Sequence, residues 1–250
     1  MREMPPREKF LPPANNPPGT SLGGRVRYLA RTLADLQIAA GLMQVKPWLS
    51  RISGEVLEIG CGAQPYRHLI PPECHYTGLD WEGAEENFAY RVPDTVYYDG
   101  GAFPFADGTY DHLFHTQVLE HVYRDAFFLA ECRRVLKAGG SMFFTVPFQA
   151  RYHYIPHDYR RYTPAALNQL VQEAGFGTVA VFPMGNDITV AAYKNLSLVY
   201  RWLHGGIVGK LMGLSCAPLA LLFLLVGRLS LSLPVGSPDD CLGYAVISTP

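Results

Sequence analysis

Residues 55–62 read EVLEIGCG, a short apolar run that ends in a glycine, a cysteine and a second glycine. Such a run is typical of a buried β-strand, and glycines directly after it allow a sharp turn and a close backbone approach. Outward from this stretch, helical patterns alternate with further short apolar runs, which lie at residues 76–79, 95–98, 111–115, 141–146 and 178–182. This alternation predicts an open, mostly parallel α/β sheet with helices on both faces.

The helical patterns have recognisable boundaries. The first spans residues 24–45, and we expect it either to cap the sheet or to cover the pocket. The second begins near Glu120, and the glycine pair 139–140 is expected to end it. The third begins at the N-cap Thr163 and is expected to stop at Gly175 in a left-handed conformation.

Composition excludes several classes of protein. The chain has 250 residues and a formal net charge of −1, which argues against a surface built to bind nucleic acid. Its five cysteines show no paired spacing, so we expect reduced thiols rather than disulfides or a zinc site. The Pro-rich residues 1–20 lack an apolar signal-peptide core, and a cytoplasmic protein is therefore expected.

Polar or flexible residues follow three successive predicted strands. Gly60 and Gly62 follow the first strand, Asp80 closes the second and Asp99 closes the third. Ligands of open parallel sheets bind outside the carboxyl ends of the strands. One carboxylate there can accept from both hydroxyls of a ribose, and the other from an exocyclic amine such as that of adenine. The pattern predicts a pocket for an adenosine without pyrophosphate, although each residue alone could be a turn glycine or a helix cap.

Four longer motifs carry a family resemblance. They are VLEIGCG at residues 56–62, FPFAD at 103–107, YDHL with QVLEHV within 110–122, and RVLKAGG at 134–140. Together they resemble the class I S-adenosylmethionine-dependent methyltransferases of the branch called type 11, over about residues 55–182. The resemblance implies a seven-stranded Rossmann-like sheet whose last strand is antiparallel.

The resemblance also implies S-adenosylmethionine as cofactor, S-adenosylhomocysteine as product, and a set of binding residues. In this set, Glu58 supports the glycine loop that approaches the methionine part of the cofactor. Asp80 holds the ribose, Trp81 lies against adenine, and Asp99 with Gly100 meets the adenine edge. The full set is Glu58, Gly60, Cys61, Gly62, Asp80, Trp81, Asp99, Gly100 and Gln117.

One departure concerns the third glycine that is common in the first motif. Gln64 or Pro65 stands in its place, which puts details of the loop in doubt but not the class. The incomplete GxGxxG pattern also disfavours a dinucleotide-binding dehydrogenase.

Residues for the chemistry are expected after the fourth and fifth strands. Residues 148–162 (FQARYHYIPHDYRRY) are rich in His, Tyr and Arg and should cross the mouth of the cofactor pocket. An alcohol acceptor needs a positioned base, and His121, His153 and His157 are the candidates. The arginine pair 160–161 could hold an anionic group on the acceptor. The spacing of these histidines matches no recognised ligand pattern, so no metal site is predicted.

An apolar insertion precedes the last predicted strand, residues 242–248. Residues 211–227 contain no charge, and Pro218 is expected to interrupt them. Because a single crossing would separate the last strand from its sheet, we expect a helical hairpin or an in-plane helix that dips into one leaflet through residues 207–233. A buried helix and a dimer interface are the alternatives. The predicted domains are residues 1–20 (leader), 21–50 (helical cap), 51–184 (cofactor-binding core), 185–240 (insertion) and 241–250 (last core strand).

The predicted function is transfer of a methyl group to an O or N atom of a small-molecule or lipid-linked acceptor, such as a glycan. A quinone-like hydrophobic metabolite is an alternative acceptor, and a non-catalytic, membrane-associated cofactor-binding protein is an alternative function. The expected location is the cytoplasm, with peripheral contact on the inner face of the membrane. The oligomeric state is left open.

Overall fold

The sheet of the protein has seven strands in the residues that the computed structural model describes, 15–84 and 91–250. The strands are β1 (Glu55–Ile59), β2 (His75–Trp81), β3 (Thr95–Tyr98), β4 (Tyr110–Thr116), β5 (Leu136–Pro147), β6 (Thr178–Met184) and β7 (Gly243–Thr249). Their order is β3-β2-β1-β4-β5-β7-β6. The first five are parallel, and β7 pairs antiparallel with both β5 and β6. The predicted fold class is confirmed.

The same part of the chain contains six helices. They are α1 (Leu22–Ala34), α2 (Leu36–Leu49), α3 (Asp125–Val135), α4 (Pro164–Glu173), α5 (Asp187–Leu203) and α6 (Ile207–Ser230). Successive β1 residues point to opposite faces, so Val56 packs in one core with α2 and α5, and Leu57 packs in the other with α3 and α4. Both cores are built from side chains with almost no exposed surface.

The N-terminal helical pattern forms two helices instead of the single helix predicted over residues 24–45. Asp35 separates them with an extended backbone (φ −99°, ψ 105°). Its carboxylate accepts hydrogen bonds from the amides of Gln37 and Ile38, at 2.9 and 3.2 Å, and so caps α2. Residues 1–14, most of the predicted Pro-rich leader, lie outside the described residues.

The glycine pair 139–140 does not end a helix, and this prediction was wrong. Helix α3 begins at Asp125, with a single 3-10 turn before it at Leu119–His121, and it ends at Val135. Both glycines belong to β5. A side chain at Gly140 would place its Cβ 2.6 Å from the carbonyl oxygen of Asp111, so the close approach of β4 and β5 requires glycine there.

Helix α4 agrees with its sequence signals. Thr163 caps it by accepting from the amide of Ala166 at 3.3 Å. The chain leaves the helix through Gly175, whose φ of +92° is in the left-handed region. Phe176 then folds back and is buried among the core residues of this face.

The insertion forms a hairpin of α5 and α6. Asn186 caps α5 by accepting from the amide of Thr189 at 3.0 Å, and its Nδ2 donates to the carbonyls of Ser230 and Val235. Helix α6 continues through Pro218, so the prediction that this proline interrupts the segment was wrong. Of the helices described, α6 alone is long and apolar enough, by length and composition, to cross a membrane, and only 6% of its most apolar window is buried.

Candidate cofactor site

The loop after β1 requires glycine on geometric grounds. Gly60 has a φ of +63°, and a Cβ there would lie 2.5 Å from Cγ2 of Val118. Gly62 has a φ of +53°, and its amide donates to Oδ2 of Asp80 at 2.8 Å. The loop therefore follows a backbone path that side chains disfavour, and one amide ties it to the end of β2.

Asp80 lies where the loop meets β2. Asp80 is only 5% exposed, and its Oδ1 accepts a hydrogen bond from the amide of Trp81 at 2.8 Å. Each carboxylate oxygen has two acceptor positions, so these backbone bonds leave capacity for hydroxyl donors. A carboxylate fixed in this way suits a vicinal diol.

Two further groups of β1 and its loop are buried beneath the glycines. The Glu58 carboxylate is 2% exposed and accepts a 2.6 Å hydrogen bond from the hydroxyl of Tyr76. Burial raises the pKa of Glu58 to about 8, and the nearby charge of Asp80 adds to this rise. Burial likewise raises the pKa of the Cys61 thiol to about 12, so this cysteine is a neutral packing group at physiological pH.

Trp81 forms a platform at the end of β2. A Cβ at Gly83 would lie 2.5 Å from the indole, and one at Gly100 would lie 3.6 Å from it. The ring of His157 stands edge-on to Trp81, with centroids 5.9 Å apart. Residues 148–162 therefore reach from β5 across to the end of β2, as the sequence predicts.

Asp99 follows β3, next to the end of β2. It is exposed, and its Oδ1 accepts from the amide of Gly101 at 2.8 Å. Burial raises the pKa of the Tyr98 hydroxyl, and the charges of both Asp80 and Asp99 raise it further. Asp80 lies opposite Tyr97 in the register of β2 and β3, so Asp80 and Asp99 are placed at the ends of two neighbouring strands.

Gln117 lies just after β4 in a left-handed conformation, with a φ of +56°. Its Nε2 donates to the hydroxyl of Thr145 at 3.2 Å, and its Oε1 accepts from Nε2 of Gln37 at 2.9 Å. The hydroxyl of Tyr193 in turn donates to Oε1 of Gln37 at 2.9 Å. This chain of hydrogen bonds joins the β4 end to α2 and to α5 of the insertion.

The two arginines of the crossing loop are engaged inside the protein. Arg161 forms a two-pronged ion pair with Asp158, with 2.7 Å between Nη2 and Oδ2. Arg160 donates to the carbonyls of Val122 and Tyr123 at 3.0 and 3.1 Å. These contacts brace the loop against the segment after β4, which differs from the anion-holding role expected for the pair.

The candidate bases do not form a single group. The rings of His121 and His153 are in edge-on contact, with centroids 4.9 Å apart. His157 instead lies at Trp81, and its Nδ1 is 3.1 Å from the hydroxyl of Tyr159. Burial lowers the pKa of His121 to about 4, so its ring is neutral and carries one unprotonated nitrogen.

Comparison with known proteins agrees with this geometry. Residues 57–144 match a family model described as "Methyltransferase domain". A Mycolicibacterium smegmatis protein described as a probable S-adenosylmethionine-dependent methyltransferase is 30% identical over 141 residues, which cover 51% of this chain and 55% of that one. A Mycobacterium tuberculosis protein of the same description is 28% identical over 137 residues, covering 51% and 50%. The chain thus spans about half the length of these curated relatives.

Residues 57–144 thus carry a methyltransferase domain, similar to that of relatives described as S-adenosylmethionine-dependent. Solved structures share its fold. An S-adenosylmethionine-dependent methyltransferase from Archaeoglobus fulgidus has a TM-score of 0.52 and 17% identity, over 90% of this chain and 99% of that one. Phosphoethanolamine N-methyltransferase 2 from Haemonchus contortus, solved with S-adenosylmethionine, has a TM-score of 0.52 and 14% identity, over 84% and 52%.

The methyltransferase domain has residues that fit S-adenosylmethionine. Asp80 has acceptor capacity for the ribose, Trp81 offers a flat apolar face for adenine, and the glycine loop lies beside both. Burial keeps Glu58 largely protonated at neutral pH, and the sulfonium and ammonium groups of the cofactor would favour its ionised form. The roles of individual residues, including those of Cys61 and Gln117, stay predictions.

Several residues of the methyltransferase site were missed from sequence. Gln37 and Tyr193 reach the β4 end from helices that are distant in the chain, and no local pattern marks them. Tyr76 was taken only as a strand residue, although its hydroxyl partners Glu58. No local signal marked Tyr76, because its contact with Glu58 depends on the register of β1 and β2, in which Tyr76 lies opposite Val56.

Proposed function

We propose that this protein is an enzyme that methylates an oxygen or nitrogen atom of a small-molecule or lipid-linked acceptor, such as a glycan. The observation that carries the proposal is the meeting of two parts at one sheet edge. One part is the adenosine-type pocket at Asp80 and Trp81. The other is the loop of residues 148–162, whose His157 contacts the Trp81 platform.

S-adenosylmethionine supplies a methyl group on a sulfonium, which an acceptor lone pair displaces to leave S-adenosylhomocysteine. The protein's contribution is alignment, exclusion of water and, for an alcohol, acceptance of its proton. His121 is suited to proton acceptance because its Nδ1 lies 2.7 Å from the carbonyl of His157, which fixes the proton there and leaves Nε2 unprotonated. His153 and His157 are the other candidates.

The pocket is tested by calorimetric titration of S-adenosylmethionine. Asp80→Asn keeps the size of the side chain but replaces one acceptor oxygen with a donor, so we expect affinity to fall at least about 10-fold. Asp94→Asn, at an exposed carboxylate before β3, is the control and should bind as the wild type does. Equal affinity of wild type and Asp80→Asn would contradict the pocket assignment.

Enzymatic turnover is tested separately with S-adenosylmethionine labelled on its methyl group. Label entering a lipid or glycan extract supports the proposed acceptor class. Label entering quinone-like metabolites instead supports the alternative acceptor, which the apolar insertion also suits. Tight cofactor binding without transfer to any extract would favour a non-catalytic, membrane-associated protein.

We propose further that the acceptor is presented at a lipid leaflet that the insertion contacts. Helix α6 exposes a row of leucines, of which Leu221 is 68% exposed. Lys210 and Arg228 of the same helix flank its uncharged residues 211–227. Both ends of the insertion return to one sheet, because β6 pairs with β7. A helix held in this way cannot cross the bilayer alone, so an in-plane position is the consistent one.

Helix α1 adds a second surface of the same type. Its exposed apolar side chains include Leu22 at 80% and Leu29 at 58%, and it carries three arginines. Arg228 of α6 donates to the carbonyl of Thr32 at 3.2 Å, so the two helices are neighbours. Apolar side chains interspersed with arginines match the surface of a leaflet that contains anionic lipids.

Sedimentation with vesicles containing anionic lipid tests this contact. Leu221→Glu should reduce partition into the pellet by about 10-fold or more, since burying one leucine is worth ~1.5–3 kcal/mol. Phe182→Glu adds the same charge at an exposed residue of β6, outside the insertion, and should partition as the wild type does. Equal partition of both variants, or self-association without vesicle binding, would overturn the lipid assignment. Hydrogen bonds from Gln117 through Gln37 to Tyr193 also connect the end of β4 with α5 of the same insertion.

A further inference from the structure

A buried carboxylate that the proposed mechanism leaves unused lies just after β4. Glu120 has no exposed surface, and neither oxygen of its carboxylate has a hydrogen-bond partner among the described residues. Burying an unpartnered carboxylate is costly, and such groups in proteins are usually paired or coordinate metals. The nearest basic side chain atom is Nε2 of His121, 3.7 Å from Oε1.

Two histidines face this carboxylate with their other nitrogens already held. Nδ1 of His121 lies 2.7 Å from the carbonyl oxygen of His157. Nδ1 of His153 lies 2.9 Å from Oδ2 of Asp158 and 2.9 Å from the carbonyl oxygen of Arg151. Acceptors at Nδ1 fix the proton on that nitrogen and make Nε2 the atom available to a ligand. This is the arrangement that orients metal-binding histidines in general.

We propose that Glu120, His121 and His153 bind a divalent transition-metal cation of the Zn²⁺ type. One ligand atom from each residue lies within 4.8 Å of the others. Metal–ligand bonds of ~2.0–2.1 Å in a tetrahedral site place ligand atoms ~3.4 Å apart, so the side chains need to approach by up to ~1.4 Å. A carboxylate with two imidazoles is a donor set that such cations prefer, and three protein ligands leave one position open.

The charges around the Glu120–His121–His153 cluster favour a cation. The nearest guanidinium, that of Arg161, is paired with the carboxylate of Asp158, so these two charges largely cancel. Among the described residues, no donor is bonded to either carboxylate oxygen of Glu120, and the two imidazoles beside it can act as neutral ligands. A bound cation would give one of these oxygens the partner that it lacks.

The open position gives the cation a role in the reaction, and this part rests on the proposed function. The cluster lies between the end of β4 and the crossing loop, where the acceptor is expected. A hydroxyl bound to such a cation would have a lowered pKa, and because Nε2 of His121 would then be on the metal, His157 would remain as the candidate that accepts the proton. The site thus points to acceptors that offer an oxygen to a metal, and against simple amines.

Metal binding is tested directly with the purified full-length chain, first freed of metal by a chelator. Zn²⁺ affinity is measured by competition with a chromophoric chelator, and Co²⁺ absorption reports the coordination geometry. Wild type should bind one ion per chain with a tetrahedral Co²⁺ spectrum. Glu120→Gln and His153→Gln, which roughly preserve side-chain volume, should each lower the affinity at least about 10-fold.

The matched control is His75→Gln. His75 is exposed at the opposite end of β2, where it pairs with Glu55, so its variant should bind Zn²⁺ as the wild type does. Wild type that binds no more Zn²⁺ than the Glu120→Gln/His153→Gln double variant would overturn the proposal. Titration of S-adenosylmethionine into the metal-free chain is read separately, so loss of the metal site and failure of the cofactor pocket are distinguishable. Circular dichroism confirms that each variant is folded.

Discussion

Substitution of Gly60 by alanine tests the geometry of the cofactor loop. The φ of +63° costs an L-residue ~1–2 kcal/mol. The new Cβ would also lie 2.5 Å from Cγ2 of Val118, and overpacking of this kind costs ~1–3 kcal/mol. Gly60→Ala should therefore lower the free energy of unfolding by ~2–5 kcal/mol in urea denaturation. S-adenosylmethionine affinity should fall as well, because the loop has to shift.

Two further variants separate the causes of this loss. Gly139→Ala is the control, since Gly139 has an ordinary φ and a Cβ there meets nothing within 4 Å, so its stability should stay within ~1 kcal/mol of wild type. Val118→Ala removes the two closest atoms and leaves Cβ of residue 118 at 3.4 Å. The double variant Gly60→Ala/Val118→Ala should be less destabilised than the sum of the single variants, by ~1–3 kcal/mol. Additive losses, or a Gly60→Ala variant as stable as Gly139→Ala, would refute the steric explanation.

Three other substitutions test separate parts of the fold. Glu58 has a folded-state pKa of about 8, above its ordinary value of 4.5, so its contribution is fully present below pH 4.5 and is lost as the pH rises towards 8. Across this window the free energy of unfolding should fall with rising pH more steeply in wild type than in Glu58→Gln, and the slopes should differ by up to ~1.4 kcal/mol per pH unit. Parallel pH curves would contradict this. Asn186→Ala should cost ~2–4 kcal/mol because it leaves the buried carbonyl of Ser230 without its donor, and an unchanged urea midpoint would count against that role. Thr163→Ala should cost ~1 kcal/mol by removing the cap of α4 while Thr163→Ser retains most of it; equal losses in both would exclude capping as the cause.

The elements that sequence predicted best have strong local causes. Strand β1 was predicted with its observed bounds, because a buried apolar run ends there at glycines whose positive φ values only glycine adopts easily. Helix α4 was predicted from its Thr163 cap and its Gly175 stop, both of which are local features. The cofactor pocket followed from these elements because parallel strands bring their carboxyl ends to one edge.

The errors arose where one residue type serves two purposes. Glycines 139–140 fit a helix stop as well as a strand that approaches its neighbour closely, and only the carbonyl of Asp111 decides between them. Asp35 lies within a continuous helical pattern, so its capping role was overlooked even though aspartate favours that position. The Glu120–His121–His153 cluster depends on the path of a loop, which residue spacing does not encode.

The place of β7 between β5 and β6 has a consequence for how the chain reaches its folded state. Strand β6 touches the rest of the sheet only through β7, which is synthesised after the α5–α6 hairpin. Strand β6 can therefore join the sheet only after the long segment between β6 and β7 has formed a closed loop. This step is slow because closing a long loop costs conformational entropy. During that delay the leucines of α6 are unshielded in a half-assembled protein. A nascent chain that settles early on a bilayer would be protected from aggregation at its most vulnerable stage.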